Sequence, residues 1–209
     1  MVIPVSDALP TTPGTPADTW TEVHPGLQWA ALSTEDKHER ILCAAGRLFA
    51  REGLDAPMPA VAALAGAGVG SLYRQFPSKR DLLAALVIRR LEQIRALAES
   101  AAAQPNDHWQ ALQELLWTTV ERHAVDDFLG EAWNQVEDHA LVQVAAASNR
   151  AAINRLLELG KAERRVRPDA TALDVRLLFI AARSSRQVDA DAWKRVLELM
   201  LDGLAAQPA

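Results

Sequence analysis

The chain has 209 residues, carries a net charge of −5, and is rich in alanine and leucine but poor in aromatic residues. This composition suits close packing of helices, and runs that alternate β-branched with polar residues are almost absent, so we expect no β-sheet. The single cysteine, Cys43, excludes an intramolecular disulfide bond.

The charges are distributed unevenly along the chain. Residues 1–35 contain four acidic residues and no Lys or Arg, whereas residues 36–80 contain seven Lys or Arg and four acidic residues. Residues 81–209 are again acidic, with nineteen acidic residues against fifteen Lys or Arg. A basic segment between two acidic ones is compatible with nucleic-acid binding through a few well-placed contacts.

Residues 1–32 are predicted to form a flexible tail, because prolines interrupt every possible helix there. These prolines are Pro4, Pro10, Pro13, Pro16 and Pro25. Trp20 and Trp29 either attach the tail to the folded body or are incidental. No basic segment precedes an apolar run, so we expect no signal peptide, and no stretch approaches the roughly 18 apolar residues of a membrane span. We therefore expect a cytoplasmic protein that does not bind membranes.

The first predicted helix begins at Ser33, which has capping-box spacing to Asp36. Apolar residues then follow at helical spacing, and Gly53 ends the helix. Pro59 suits the first turn of a short second helix.

Two glycines, Gly66 and Gly68, break the second helix, and a third helix is predicted from about residue 70 to 76. Ser78 then caps a long fourth helix, with Asp81 three residues later. Two short helices joined by a glycine-containing turn predict a helix-turn-helix over residues 33–80.

In this arrangement the third helix would lie in the major groove, with Leu72 and Phe76 on its inner side. Ser and Gln side chains can bond to base edges, whereas Lys, Arg and Tyr can reach phosphate oxygens. The candidate DNA-contacting residues are Val69, Gly70, Ser71, Tyr73, Arg74, Gln75, Lys79 and Arg80.

Residues 81–209 are predicted to form a second, all-helical domain. After the fourth helix we expect five more, at about 106–123, 126–138, 140–164, 169–186 and 189–206, which gives an all-α protein of about nine helices.

Aromatic residues in the middle of this domain either line a ligand pocket or fill the core. We expect a pocket; its candidate residues are Trp109, Trp117, His123, Phe128 and Trp133. The acidic and histidine residues nearby have spacings that fit no compact metal motif, so we expect no metal ion and no cofactor. Cys43 is either a redox sensor or a buried small residue, and its place beside Leu42 favours the latter.

The segment from Gly66 to Lys79, with the sequence GAGVGSLYRQFPSK, resembles the recognition-helix signature of the tetracycline-repressor (TetR) family, A-G-V-x-x-G-T-L-Y-R-H-F-x-S-K. The resemblance extends over about residues 36–86. Tyr73 and Lys79 fall where the family contacts phosphates. Ser71 replaces the usual threonine, and Gln75 stands where histidine is common.

The resemblance implies a homodimer whose last two helices form a four-helix interface. Apolar stripes on both of these helices fit that role. The candidate interface residues are Leu173, Leu177, Ile180, Val196, Leu197, Met200 and Leu201.

We therefore expect a transcriptional regulator that binds double-stranded palindromic operator DNA as a homodimer and represses until a small molecule binds. No catalytic residues are predicted, because no nucleophile elbow, phosphate-binding glycine loop or metal signature occurs. The alternative is an all-α small-molecule-binding or interaction protein that has lost DNA binding. The apolar second helix, with Pro59, Ala60, Ala63 and Leu64, and the small basic excess favour this alternative.

Overall fold

The computed structural model describes residues 28–105, 107–123 and 128–206. Within these ranges the chain forms nine α-helices and one 3-10 turn, Trp29–Ala31, which confirms the predicted all-α fold. The helices are α1 (Thr34–Glu52), α2 (Met58–Ala65), α3 (Val69–Gln75), α4 (Lys79–Ala102), α5 (His108–His123), α6 (Phe128–Val136), α7 (Ala140–Ala162), α8 (Ala172–Ser185) and α9 (Ala192–Leu204).

Local sequence signals determine where several helices begin and end. Ser33 and Asp36 form a complete capping box at the start of α1, and Ser78 and Asp81 form another at the start of α4. Gly53 ends α1 with a φ of 78°, a backbone conformation that favours glycine. A capping box at Thr171, where Asp174 is the partner, was not anticipated.

A first apolar cluster joins α1, α2, α3 and the N-terminal half of α4. Phe49, Leu72 and Leu83 are among its fully buried side chains. Three residues of α6, Phe128, Ala132 and Val136, also belong to this cluster. The helix-turn-helix segment therefore packs directly on α6.

A second apolar cluster joins the C-terminal half of α4 to α5, α7, α8 and α9. Among the described helices, α4 and α7 pack together most extensively, followed equally by the pairs α8–α9 and α1–α2. Gly160 of α7 permits a close approach, since a Cβ atom there would lie 2.7 Å from Cγ2 of Val166. A single backbone bridge between Val166 and Ala205 holds the end of α9 against the α7–α8 connection.

The end of the predicted tail is part of the folded body. Trp29 is half-buried and packs against the first cluster, and Nζ of Lys37 lies 6.0 Å from the centre of its ring. Leu32 is buried beside Cys43. Trp20 lies outside the described residues. In the part of the chain that the structure describes, no helix is long and apolar enough to cross a membrane.

Candidate nucleic-acid interface and pocket

The third helix is held by its inner side and exposes its outer side. Leu72 is fully buried and Phe76 nearly so, because both pack in the first cluster. Phe76 also contacts the ring of His38, with the two ring centres 4.7 Å apart. On the outer side, Val69 and Tyr73 are each 43% exposed. These are large side chains to leave in water, as expected of a surface that meets another molecule.

The polar residues of α3 form one surface. Arg74 is exposed and donates a hydrogen bond to Oγ of Ser71 at 2.9 Å. Gln75 is half-buried, and its Oε1 atom has no hydrogen-bond partner within the described ranges. An unsatisfied amide oxygen costs stability until a donor reaches it.

The turn before α3 depends on glycine at one position. Gly66 has a φ of 66° and ends α2 in the left-handed conformation. A Cβ atom there would also lie 3.2 Å from Nη2 of Arg40. Both the backbone angle and the approach of Arg40 favour glycine, which agrees with the predicted helix-turn-helix.

The two basic residues at the start of α4 differ in their surroundings. Nζ of Lys79 lies 5.6 Å from the centre of the Phe49 ring, at the edge of the first cluster. Arg80 instead donates to the backbone oxygen of Gln135, at 3.3 Å, and forms an ion pair with Asp138. The hydrogen bond from Arg80 lowers the pKa of Asp138 below its ordinary value. Arg80 thus links the predicted DNA-binding segment to the α6–α7 connection, a contact that the sequence did not indicate.

The α8 side chains that were predicted to form a dimer interface are exposed. Leu173, Leu177 and Ile180 are 60%, 49% and 49% exposed, and their spacing puts them on one side of the helix.

The prediction is wrong for Leu197 and Leu201 of α9. Leu197 is fully buried and Leu201 is 5% exposed, because both fill the second cluster of their own subunit. Val196 and Met200 are half-buried against the same cluster. The exposed apolar residue of α9 is Leu199, which the sequence pattern missed.

A pocket of about 430 Å³ opens between α4, α6, α7 and α8. Apolar side chains such as Ile94, Ile153 and Phe179 form much of its wall. The volume lies in the range of known small-molecule sites. The exposed residues Leu173 and Ile180 line it too, so the pocket opens beside the predicted dimer surface.

Of the predicted pocket residues, Trp133 lines this cavity. Trp109 is buried in the second cluster, and Trp117 packs edge-on against Trp193 with ring centres 5.6 Å apart. Phe128 packs against Phe49 in the first cluster. These three rings are core residues, so the correction is that the aromatic residues do not converge on one cavity. The side chain of His123 lies outside the described part of the chain.

The cavity also contains residues that the sequence analysis missed. Four arginines line it: Arg90, Arg150, Arg176 and Arg183. The spacing of Arg176 and Arg183, seven residues apart on α8, is the one sequence signal that indicates a shared face. In residues 28–105, 107–123 and 128–206, no group of three or more His, Cys, Asp or Glu could hold a metal ion.

Comparison with known families gives one match. Residues 41–86, which span α1 to the start of α4, match the family described as bacterial regulatory proteins, tetR family. No curated protein matches the chain in sequence.

Solved structures of similar fold cover most of the chain. The TetR transcriptional regulator SCO0520 from Streptomyces coelicolor is 25% identical, with a TM-score of 0.63, over 82% of this chain and 99% of that one. The TetR transcription regulatory protein from Mycobacterium vanbaalenii is 27% identical, with a TM-score of 0.55, over 81% and 95%. SmeT, the repressor of the Stenotrophomonas maltophilia multidrug efflux pump SmeDEF, shares the fold at 20% identity, with a TM-score of 0.59, over 80% and 90%.

Proposed function

This chain belongs to the TetR family of DNA-binding transcriptional regulators, and from that premise we propose how it binds DNA and how a ligand releases it. A homodimer places α3 of each subunit in successive major grooves of a palindromic operator. A small molecule in the pocket stabilises a second conformation, in which the distance between the two α3 helices no longer fits the operator. The protein then dissociates from the DNA. The observation that carries this proposal is the exposed outer side of α3, anchored from within by Leu72 and Phe76.

Base recognition comes from the polar surface of α3. Ser71 and Gln75 can bond to base edges, and the buried side-chain oxygen of Gln75 can accept from an adenine amino group once the side chain turns outward. Arg74 is already oriented by its hydrogen bond to Ser71. No atom of the described residues lies within 4 Å of a Cβ built at Gly70, so the backbone can approach the DNA closely at that point.

Phosphate contacts come from Tyr73, Lys79 and the start of α4. In the capping box, Ser78 accepts from the backbone N–H of Asp81. The N–H groups of Lys79 and Arg80 therefore remain for an anion at the positive end of the helix. Phosphates carry no sequence information, so these contacts add affinity but do not select the operator.

The dimer forms through the exposed stripe of α8. Leu173, Leu177 and Ile180 together form an apolar surface that a two-fold axis would cover with its own copy. Binding to successive major grooves on one side of DNA then requires the two α3 helices to lie about 34–36 Å apart.

Ligand response requires a molecule that binds the two states with different affinity. The pocket is suited to this, because α6 lines it through Trp133 and also packs in the first cluster through Phe128 and Ala132. A ligand that shifts α6 therefore acts on the segment that carries α3.

Selection of DNA from a random pool tests the proposal. We expect the wild-type protein to enrich a palindrome. We expect Ser71→Ala and Gln75→Ala to relax the preference at particular positions, by about 1–3 kcal/mol each. Lys79→Ala should weaken binding to all DNA sequences alike. It should also reduce the slope of log affinity against log salt concentration by about one. Arg195→Ala, at an exposed position on α9, is the matched control and should change neither.

Two results would contradict the proposal. A wild-type protein that enriches no palindrome favours the alternative function, a small-molecule-binding protein that has lost DNA binding. The exposed apolar residue Leu64 on α2 is compatible with that alternative. If the wild type, Ser71→Ala and Gln75→Ala all enrich the same DNA motif, an element other than α3 recognises the bases.

A further inference from the structure

The charged side chains that line the pocket in the described part of the chain all have the same sign. Four of them are arginines, and the described lining includes no Asp, Glu, Lys or His. The whole chain is acidic, with a net charge of −5. A concentrated positive surface in an acidic protein selects for an anion.

We propose that the pocket binds an organic anion with an apolar body, of the kind that a medium-chain or aromatic carboxylate provides. This inference rests on the proposed function, since it names the class of ligand that regulates DNA binding. The apolar wall holds the body, and the arginines of α8 bind the anionic head.

Three of these arginines have no counter-ion among the described residues. The ion pairs of the described residues leave out Arg150, Arg176 and Arg183. Six arginines outside the pocket are bridged to carboxylates, whereas others in the described part of the chain, such as Arg47 and Arg155, are not; the six are Arg51, Arg80, Arg89, Arg95, Arg167 and Arg195. The pocket is thus a place where a ligand can supply the missing negative charge, and its apolar walls strengthen that attraction.

A glycine on the neighbouring helix leaves room for Arg183. Its guanidinium lies so close to Gly130 of α6 that a Cβ atom at residue 130 would stand 1.1 Å from Nη1. Glycine is a poor helix former, yet it stands inside α6 at this point. The close approach explains the glycine, and it carries the guanidinium to the α6 wall of the pocket.

Arg176 lies over the ring of Trp133. Its guanidinium carbon is 5.0 Å from the centre of that ring, within the range of a cation–π contact. A guanidinium in such a contact keeps the N–H groups at its edge, and these can bond to a carboxylate in a bidentate manner. One further donor of the lining, Nε1 of Trp133, has no hydrogen-bond partner in the described ranges.

The direct test is a comparison of probes that share one alkyl chain and differ in the head group. Isothermal titration of the full-length protein with octanoate, octanol and octyltrimethylammonium separates apolar from ionic binding. We expect octanoate to bind about tenfold more tightly than octanol, as charge-assisted hydrogen bonds allow, and the cation to bind most weakly. Equal or tighter binding of octanol would overturn the inference.

Variants then locate the head group. Arg183→Gln removes the charge, whereas Gly130→Ala keeps every charge and displaces the guanidinium. Alanine also favours the helix, so the fold of this second variant is preserved. We expect each variant to lower octanoate affinity about five- to tenfold and to leave octanol binding unchanged. Arg195→Gln, which alters an exposed arginine outside the pocket, is the control.

The outcomes separate this inference from the proposed function. If Arg183→Gln and Gly130→Ala bind octanoate as tightly as wild type, the inference is overturned, even though the protein still selects an operator. Suppose instead that the wild type prefers octanoate, that Arg183→Gln loses this preference, and that the wild type enriches no DNA sequence. The inferred ligand class is then supported, and the proposed regulation of DNA binding is refuted.

Discussion

A glutamate at Leu177 should dissociate the dimer and leave the subunit folded. Leu177 lies in the middle of the exposed stripe of α8 and, unlike Leu173 and Ile180, does not line the pocket. Because half of the side chain is already in water, the substitution should change the stability of the single subunit by about 0.5 kcal/mol or less.

The effect on the dimer is much larger. Complete burial of a leucine side chain contributes about 1.5–3 kcal/mol, so the exposed half contributes roughly 1 kcal/mol when a partner covers it. A two-fold interface contains each substitution twice, so the two leucines together contribute about 2 kcal/mol to dimer formation. Two unpaired carboxylates at the interface add a few kcal/mol more. We therefore expect the dissociation constant of the dimer to rise at least about a thousandfold.

Leu197→Glu should behave differently, because Leu197 is fully buried in the second cluster. An unpaired carboxylate there costs several kcal/mol of a folding free energy that is typically about 5–15 kcal/mol. We expect this variant to lose helical signal and stability, whereas Leu177→Glu keeps both. Val188→Glu, at a position that is 87% exposed and outside the stripe, is the control and should stay dimeric.

Light scattering at micromolar concentration, circular dichroism and a gel shift with the selected operator measure the three properties. Leu177→Glu should be monomeric, helical and unable to bind the operator. A Leu177→Glu protein as dimeric as the wild type would refute the α8 interface. A Leu197→Glu protein as stable as the wild type would refute the assignment of Leu197 to the core.

Two further predictions concern Arg80 and Cys43. Asp138→Asn should free Arg80 for a phosphate and raise operator affinity a few-fold in a gel shift; unchanged affinity would contradict a phosphate role for Arg80. Because Arg80 lowers the pKa of Asp138, the contribution of this pair to stability is present at neutral pH and is lost only as the pH falls through that lowered pKa. Burial raises the pKa of the Cys43 thiol, so it should react slowly with a disulfide reagent in the folded protein and rapidly in denaturant. Rapid reaction in the folded protein would instead favour a redox role.

Local signals made the helix-turn-helix predictable. Ser33 with Asp36 and Ser78 with Asp81 mark helix starts through contacts three residues apart, and Gly66 marks a turn through its own backbone angle. Each signal involves one short segment, so no knowledge of distant packing is required. The anchors Leu72 and Phe76 followed from helical spacing alone.

The direction that each C-terminal helix faces was not predictable in this way. Apolar residues occur on more than one side of α9, and the sequence does not say that Leu197 and Leu201 point into their own subunit and Leu199 into solvent. That choice depends on the packing of α9 against α8 and α5. The pocket was missed for the same reason, because its lining comes from four helices that are distant in sequence.

The helix α6 has only nine residues, and both of its sides are occupied. Phe128, Ala132 and Val136 are buried with the helix-turn-helix, while Leu129 and Trp133 line the pocket. A displacement of so short a rigid element cannot be confined to one side. Coupling through it is reciprocal: the factor by which a pocket ligand weakens operator binding equals the factor by which the operator weakens ligand binding. Under the proposed function, operator DNA is therefore itself an effector of the pocket, and the occupancy of the pocket at a given ligand concentration should depend on how much of the protein is bound to DNA.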